Sequence, residues 1–400
     1  MFELFNRKKQ LNPIKIWLDN IEQLEESCLE QAINLANLPF IYKWVAIMPD
    51  AHSGFGMPIG GVMACKDVIV PNGVGVDIGC GVAFVSTDLP VQILKENNLL
   101  QAIIKKILQE IPTGFSHHKE KKESKVLEAF KVSKMDLNKY HHLVKEIERG
   151  YYQIGTLGGG NHFIELQEDE QGLLCIMIHS GSRNFGKQIC DYFNFLAKDV
   201  NTSKNWNIPK SYDLAYLHTD REEGKQYIRW MNLALDFARE NRQKMLEKVK
   251  NIISSFSNIK CHQEINCHHN YAALETHYQK EVWVHRKGAI KVGKDELGII
   301  PGAMGSYSYI VKGLGNPESF CSCSHGAGRV MSRKKAKKKY SVTDVLKDLE
   351  VNGVIIGKEK MKDIAEEARF VYKDIEMVIN QELDLIQPLK KMKTIGVVKG

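Results

Sequence analysis

The chain has 400 residues, 43% of them hydrophobic and 26% charged. That balance excludes disordered and fibrous classes and leaves enough apolar mass for a large core. No stretch approaches the roughly 20 apolar residues that cross a bilayer, and the basic start MFELFNRKKQLNPIKIW has no apolar run of signal-peptide length behind it. The formal charge of +7 is compatible with a polyanionic partner without requiring one. Nine scattered cysteines read as reduced thiols of a cytoplasmic protein, some of them available to a metal.

In chain order, the apolar spacing of Ile14, Trp17, Leu18, Ile21 and Leu24 predicts a helix over 14–36. Residues 41–87 carry short apolar runs (YKWVAIM, GGVMAC, DVIVP, GVAFVST) between glycines and predict strands and tight turns. Helices are expected over 92–111 and 124–148, with the polar HHKEKKES as the loop between them, and strands and glycine-rich turns over 151–191. The longest helical pattern runs from Gln226 to Ser255. Residues 281–330 return to strand and turn, and 361–386 predicts a last helix before the tail MKTIGVVKG. No repeat, linker or regular βαβ rhythm divides the chain, so it reads as one α+β domain spanning 1–400, with an irregular, mainly antiparallel β core surrounded by helices.

The polar residues with chemistry recur in six short segments, among glycines or at the ends of apolar runs. They are MPDAHSGFGMPIGG, NGVGVDIGCG, LGGGNHFIELQ, MIHSGSRNFG, CHHNYAALE and CSHGAGRVMSR. A strand end fixes a side chain, and neighbouring glycines let backbone N–H groups approach an anion, so the pattern suits a metal or phosphate site. Asp77 and Cys80 lie three apart in one turn, and His162, His179 and His269 add imidazoles. This mixture of O, N and S donors suits Mn²⁺, Zn²⁺ or Fe²⁺ without choosing among them. A rival set is Cys261, His262, Cys267 and His268 with Cys321 and Cys323, whose spacing matches no standard zinc ribbon. Neither LGGGNH nor HGAGR has the form of a dinucleotide fingerprint or a P-loop.

Together these segments, with VHRKGA, IIPGAMGSYSYIV, SHGAGRVMSR, EEARFVYKDI and the closing GVVKG, resemble the RtcB family of RNA-splicing ligases, in family order from about residue 45 onward. The resemblance implies two Mn²⁺ ions bridged by Cys80, with His162 and His179 completing one site and Asp77 and His269 the other. It implies GTP as co-substrate and His325 as the catalytic residue that carries GMP. Around the nucleotide it places Asn161, Glu165, His269, Asn270, Pro301, Gly302, Ala303, Met304, His325, Gly326, Ala327, Gly328, Tyr372 and Lys399. The implied partner is RNA with 3′-phosphate or 2′,3′-cyclic phosphate and 5′-hydroxyl ends, and an archease-type activator is a further partner the family allows.

Four positions depart from the family pattern: Gly79 where many members have Asn, Ala303 for a hydroxyl residue, Ser324 for cysteine and His268 for serine. The proposed ligands and nucleophile are intact, so an active enzyme is expected, and the departures point to a branch serving RNA repair rather than tRNA splicing. The basic run RKKAKKK (333–339) follows the nucleophile segment, so Lys334 and Lys335 are candidate contacts to the RNA backbone. Arg183 and Arg329, in motif loops, are candidates for holding phosphate in a bidentate manner. Two other functions use the same residues: a metal-dependent phosphoesterase acting on cyclic phosphates, and an RNA-binding protein without catalysis.

Overall fold

A computed structural model describes residues 1–96, 98–204 and 208–400. An eight-stranded sheet is its backbone. Along the main path its strands run in the order Cys261–His268, Gly81–Pro90, Leu173–Ser180, Phe163–Asp169, Ile386–Lys399, Tyr307–Gly313 and Leu297–Ile300. All these pairings are antiparallel, and only the short strand Ile355–Gly357 joins in parallel, along Ile386–Lys399. Strict alternation explains why both faces are buried. Ala83, Val85, Ile176 and Ile178 turn to one face, beneath the helices Leu99–Glu110 and Glu222–Ser254. Val82, Phe84, Cys175 and Met177 turn to the other, where Ala336, Val345, Leu349 and Ile364 cover them.

A six-stranded sheet contains Ile41–His52, Ile59–Cys65, Lys280–Lys287 and Asn270–His277 in its centre and edge. One face packs on the helix Glu26–Ala36 through Cys28, Ala32 and Leu35. The other shares a core with Tyr309, Val311 and Ile386 of the large sheet. A two-stranded ribbon, Ala289–Lys291 with Ser322–Ser324, sits in that shared core and delivers the segment around His325. The α+β reading with an antiparallel core therefore holds.

Three predicted elements differ. Of the segment 14–36, Glu26–Ala36 is α-helical and Ile21–Gln23 forms one 3₁₀ turn. Ile14–Ile16 is a buried strand lying parallel to Ile41–His52, and its two isoleucines, two positions apart, turn to the same face, into the core shared with the helix Glu26–Ala36. Residues 361–386 form two short 3₁₀ turns, Met361–Glu367 and Arg369–Val371, then the helix Ile375–Asn380. The break turns Glu367 and Tyr372 inward, toward Arg329 and Lys399. The stretch read as strands and turns over 151–191 also contains the start of a 21-residue helix, Arg183–Ser203. No helix among the described residues is long and apolar enough to cross a membrane, and the nine cysteines are unbonded thiols.

Candidate active site

Five neighbouring strands of the large sheet end at one place. In their register, Gly81 is opposite both His268 and Ser180, His179 is opposite Val82 and Phe163, and Phe163 is opposite Lys399. Cys80 precedes the strand Gly81–Pro90, His162 precedes Phe163–Asp169, and His269 follows the strand that ends at His268. Antiparallel pairing thus gathers residues some 190 positions apart in sequence into one corner.

The donor atoms in that corner form two triads with a common member. Asp77, Cys80 and His162 make one and Cys80, His179 and His269 the other, with ligand atoms within 4.8 Å of one another in each. The Cys80 Sγ lies 3.3 Å from Nε2 of both His162 and His179. Nε2 of His162 is 3.0 Å from Asp77 Oδ2, and Nε2 of His179 is 2.9 Å from Nε2 of His269. The partition therefore differs from the expected one: His162 goes with Asp77, and His179 with His269. In the sheet, the strand that Cys80 opens lies between the strand that leads to His269 and the strand that carries His179.

Burial pushes the His179 and His269 imidazoles well below their usual range, helped by neighbouring histidines, and so keeps them neutral. Burial and then Asp77 push the Cys80 thiol well up. For Asp77 burial acts upward, but His162 outweighs it and the carboxyl lies below its usual range. Neutral imidazoles, a carboxylate and a thiol that a cation would deprotonate form a donor set that could hold a metal ion. The rival cysteine–histidine set forms no such group among the described residues, where these two triads are the groups found. Cys261 is exposed at the start of its strand, while Cys323 is buried in the two-stranded ribbon.

His325 lies against this corner, its ring 4.7 Å from that of His269. Its partner is Asp50, which the sequence reading quoted within a motif but did not single out. Asp50 Oδ2 accepts from the His325 backbone N–H at 3.1 Å and from Nδ1 at 2.6 Å. The aspartate is completely buried and its Oδ1 has no partner. This contact fixes the proton on Nδ1 and leaves the Nε2 lone pair free. Gly328 makes the approach possible: at φ +71° it lies where a Cβ would come 2.1 Å from the Asp50 carbonyl oxygen. Lys373 holds the same segment by donating to the carbonyls of Pro49 and Ala51.

Beside His325 is a small pocket of about 100 Å³. Of the fourteen predicted nucleotide residues, all but His269 and Asn270 line it, and these two line the adjoining cleft of about 930 Å³. Inside the pocket Glu165 is buried, and its Oε2 accepts from Gln167 Nε2 at 2.7 Å and Thr394 Oγ1 at 2.9 Å. Burial raises its carboxyl to about 7. Tyr372 donates to Glu367 at 2.6 Å and Lys399 lies 3.3 Å from the same oxygen. Burial alone would raise Glu367, but Lys399, Tyr372 and Arg329 hold it below the usual carboxylate range. Glu367 was not foreseen; its signal, an acid in EEARFVYKD, is weak in sequence.

A second group missed by the sequence reading sits on Glu222–Ser254. Asn241 and Arg242 are completely buried. Arg242 donates through Nη1 to the carbonyls of Gly79 and Ser180, both at 2.8 Å, and through Nε to Asn266. Asn241 ties Gly155 and Thr156 to Ser180 and Gly181. These two residues clamp the loops that carry Cys80, His179 and His162. The helix also explains Gly79, which at φ +76° would place a Cβ 2.9 Å from that of Ala238 and leaves no room for asparagine. His268, another departure, lies 3.1 Å from Arg242 and 3.0 Å from the Gly79 carbonyl. Ser324 donates its backbone N–H to the buried Glu382, while its hydroxyl has no partner.

The candidate RNA contacts divide. Arg183 donates to Thr156 and to the Gly114 carbonyl, and Arg329 to Met331, Glu366, Glu367 and Tyr372. Both arginines brace loops from within, so neither presents a free fork to phosphate. Lys334 and Lys335 are exposed on the helix Arg333–Lys339, but Arg333 and Lys337 are the residues of that run that line the cleft.

A buried donor set that could hold a metal ion, next to an aspartate-oriented histidine and a pocket, defines a class: an enzyme site with a histidine placed beside a candidate metal centre. The chain belongs to the RtcB family, since the model described as "tRNA-splicing ligase RtcB" matches residues 31–400. It is 39% identical to the RNA-splicing ligase RtcB of Escherichia coli, over 97% of each chain. It is also 33% identical to the tRNA-splicing ligase RtcB of Methanococcus maripaludis and 30% to that of Pyrobaculum aerophilum, over 97% of this chain and 95% of each relative. Membership supports RNA ligation, in RNA repair or splicing, as its activity.

Proposed function

We propose that the protein is a GTP- and manganese-dependent ligase that joins RNA 3′-phosphate or 2′,3′-cyclic phosphate ends to 5′-hydroxyl ends, through guanylylation of His325. The observation that carries this reading is the Asp50–His325 pair beside two triads that share Cys80. A shared sulfur with imidazole and carboxylate donors on either side fits two borderline divalent cations. Asp77, Cys80 and His162 would hold one Mn²⁺, and Cys80, His179 and His269 the other. Bound there, the ions neutralise charge on phosphoryl oxygens and align the reacting groups.

The chain's own residues do the rest. Asp50 retains the Nδ1 proton while Nε2 of His325 attacks the α-phosphorus of GTP. A P–N bond forms, the bond to the bridging oxygen breaks and pyrophosphate leaves. In the small pocket Glu165 would accept from the N1–H and N2 amino group of guanine, donors that adenine does not offer at those positions. Tyr372 and Lys399 hold the guanylate, with Glu367 fixing both. A cyclic end is first opened by water, which adds to phosphorus as the bond to the 2′-oxygen breaks; an oxygen of the resulting RNA 3′-phosphate then attacks the same phosphorus of the guanylate and releases the histidine. Finally the 5′-hydroxyl attacks the activated 3′-phosphate and expels GMP, leaving a 3′,5′ phosphodiester.

The test is incubation with α-labelled GTP and Mn²⁺. An acid-labile labelled protein that disappears in His325→Ala, with bound metal unchanged, is the expected result. A folded, metal-loaded enzyme that takes up no label would reject the guanylylation step.

A further inference from the structure

Two aromatic rings border the catalytic cleft and neither is covered. Phe55 is 76% exposed and Phe115 fully exposed, although both line the cleft that contains Asp77, Cys80, His162 and His325. Their backbones, by contrast, are held. The Phe55 carbonyl accepts from Lys287 Nζ at 2.6 Å and from the Met57 N–H at 2.8 Å, and the preceding Gly54 is tied in both directions to Gln31. Next to Phe115, Thr113 bridges to Leu157, the Gly114 carbonyl accepts from Arg183, and the Ser116 N–H returns to Thr113. A large apolar ring exposed on a fixed backbone at the mouth of a polar cleft offers a stacking face.

The charges of the cleft favour the same conclusion. Arg333 is paired with Glu366 and Glu367, Lys337 with Asp363 and Glu366, and Lys399 with Glu367. Lys287 is spent on the carbonyls of Phe55 and Asn72. Cations bound to acids give little net attraction to a phosphate backbone, which leaves Lys358 and Lys360 of the cleft lining to draw it in, and a second interaction would strengthen the hold on the strand. Base-on-aromatic stacking does this regardless of sequence, because every base has a π-face.

We infer that Phe55 and Phe115 form a clamp that stacks on unpaired bases of the RNA termini, so that single-stranded ends are the preferred substrates. The inference rests on the ligase reading above. Its test measures KM for a 3′-phosphate RNA with an unpaired tail in Phe55→Ala, Phe115→Ala, the double variant and the Trp replacements. Phe195→Ala, exposed on the helix Arg183–Ser203 away from the cleft, is the control. On the same preparations, the yield of labelled His325 from GTP alone reports the integrity of the nucleotide site. Each alanine should raise KM by about tenfold, Trp should restore it, and an RNA whose terminal nucleotides lack bases should bind all variants equally weakly. Unchanged KM in the double variant overturns the clamp, as does an equal loss for the abasic RNA, which would mean a contact to the backbone. Absence of labelled His325 in the wild type would instead overturn the ligase reading, and the two failures are thereby distinguished.

Discussion

Asp50→Asn is the sharpest perturbation of the proposed nucleophile. The substitution preserves shape in a site that has no solvent access, but replaces a carboxylate that accepts two hydrogen bonds from His325, at 2.6 and 3.1 Å. A hydrogen bond to a charged group contributes about 1.5–3 kcal/mol, which alone corresponds to roughly 10–150-fold in rate. The amide also has a donor that can face Nδ1, and the imidazole proton would then move to Nε2, the atom that must attack. Losing the reactive tautomer adds to the lost orientation, so the guanylylation rate should fall by about 10³-fold or more. GTP affinity should change little, because Asp50 does not line the small pocket. The assay is single-turnover transfer from α-labelled GTP, followed over a range of GTP concentrations. A maximal rate within threefold of wild type would show that Asp50 does not set the tautomer.

Four further outcomes follow from the same geometry. Cys80→Ser should reduce bound metal measured by elemental analysis and abolish ligation, because one sulfur serves both triads; full metal content in the variant would contradict the shared-ligand arrangement. Arg242→Gln should weaken metal binding about 10–100-fold, as loss of a group that holds ligands in place does, while leaving the far-ultraviolet circular dichroism of the protein intact. Lys334→Gln and Lys335→Gln should each flatten the dependence of log Kd for single-stranded RNA on log salt by roughly 0.7 if they touch phosphate, and an unchanged slope removes them from the interface. Glu275, whose carboxylate forms a two-pronged pair with the buried Arg286 at 2.5 and 3.0 Å, is held at about 2: burial acts upward, but Arg286 outweighs it. Its folded value is depressed, so its stabilisation is present above pH ~4.3 and is lost as pH falls toward the folded value. Glu275→Gln should therefore cost about 3 kcal/mol at neutral pH, lowering Tm by roughly 4 °C, with a smaller difference near pH 3.

Asp77, Cys80, His162 and His179, four of the five candidate ligands, were legible because each sits near a strand end close to glycine, a placement that survives in local sequence: DIGCG, GGGNH and MIHSG all announce it, whereas His269 in CHHNYAALE has no such neighbour. Which triad each joins was not legible, since it depends on how strand ends and loops distant in sequence converge in space. Asp50 and His325 are 275 positions apart, and no periodicity reports a contact at that range. Arg242 could have been found. It and Asn241 fall on the buried side of the long helix among Ala234, Ala238, Met245 and Val249, and polar residues in such a stripe have a partner to satisfy. The helix predicted over 361–386 failed because its apolar spacing serves two short turns, whose purpose is to bring Glu367 and Tyr372 to Lys399.

The most direct test of the account uses an RNA labelled in its 3′-terminal phosphate and an unlabelled RNA with a 5′-hydroxyl end, incubated with Mn²⁺ and GTP. The expected result is joined RNA in which the label is protected from phosphatase inside a new 3′,5′ bond, with one GMP released per joint and no product without GTP. Joining that proceeds without GTP, or conversion of cyclic phosphate ends with no joined product from a metal-loaded enzyme, would contradict it.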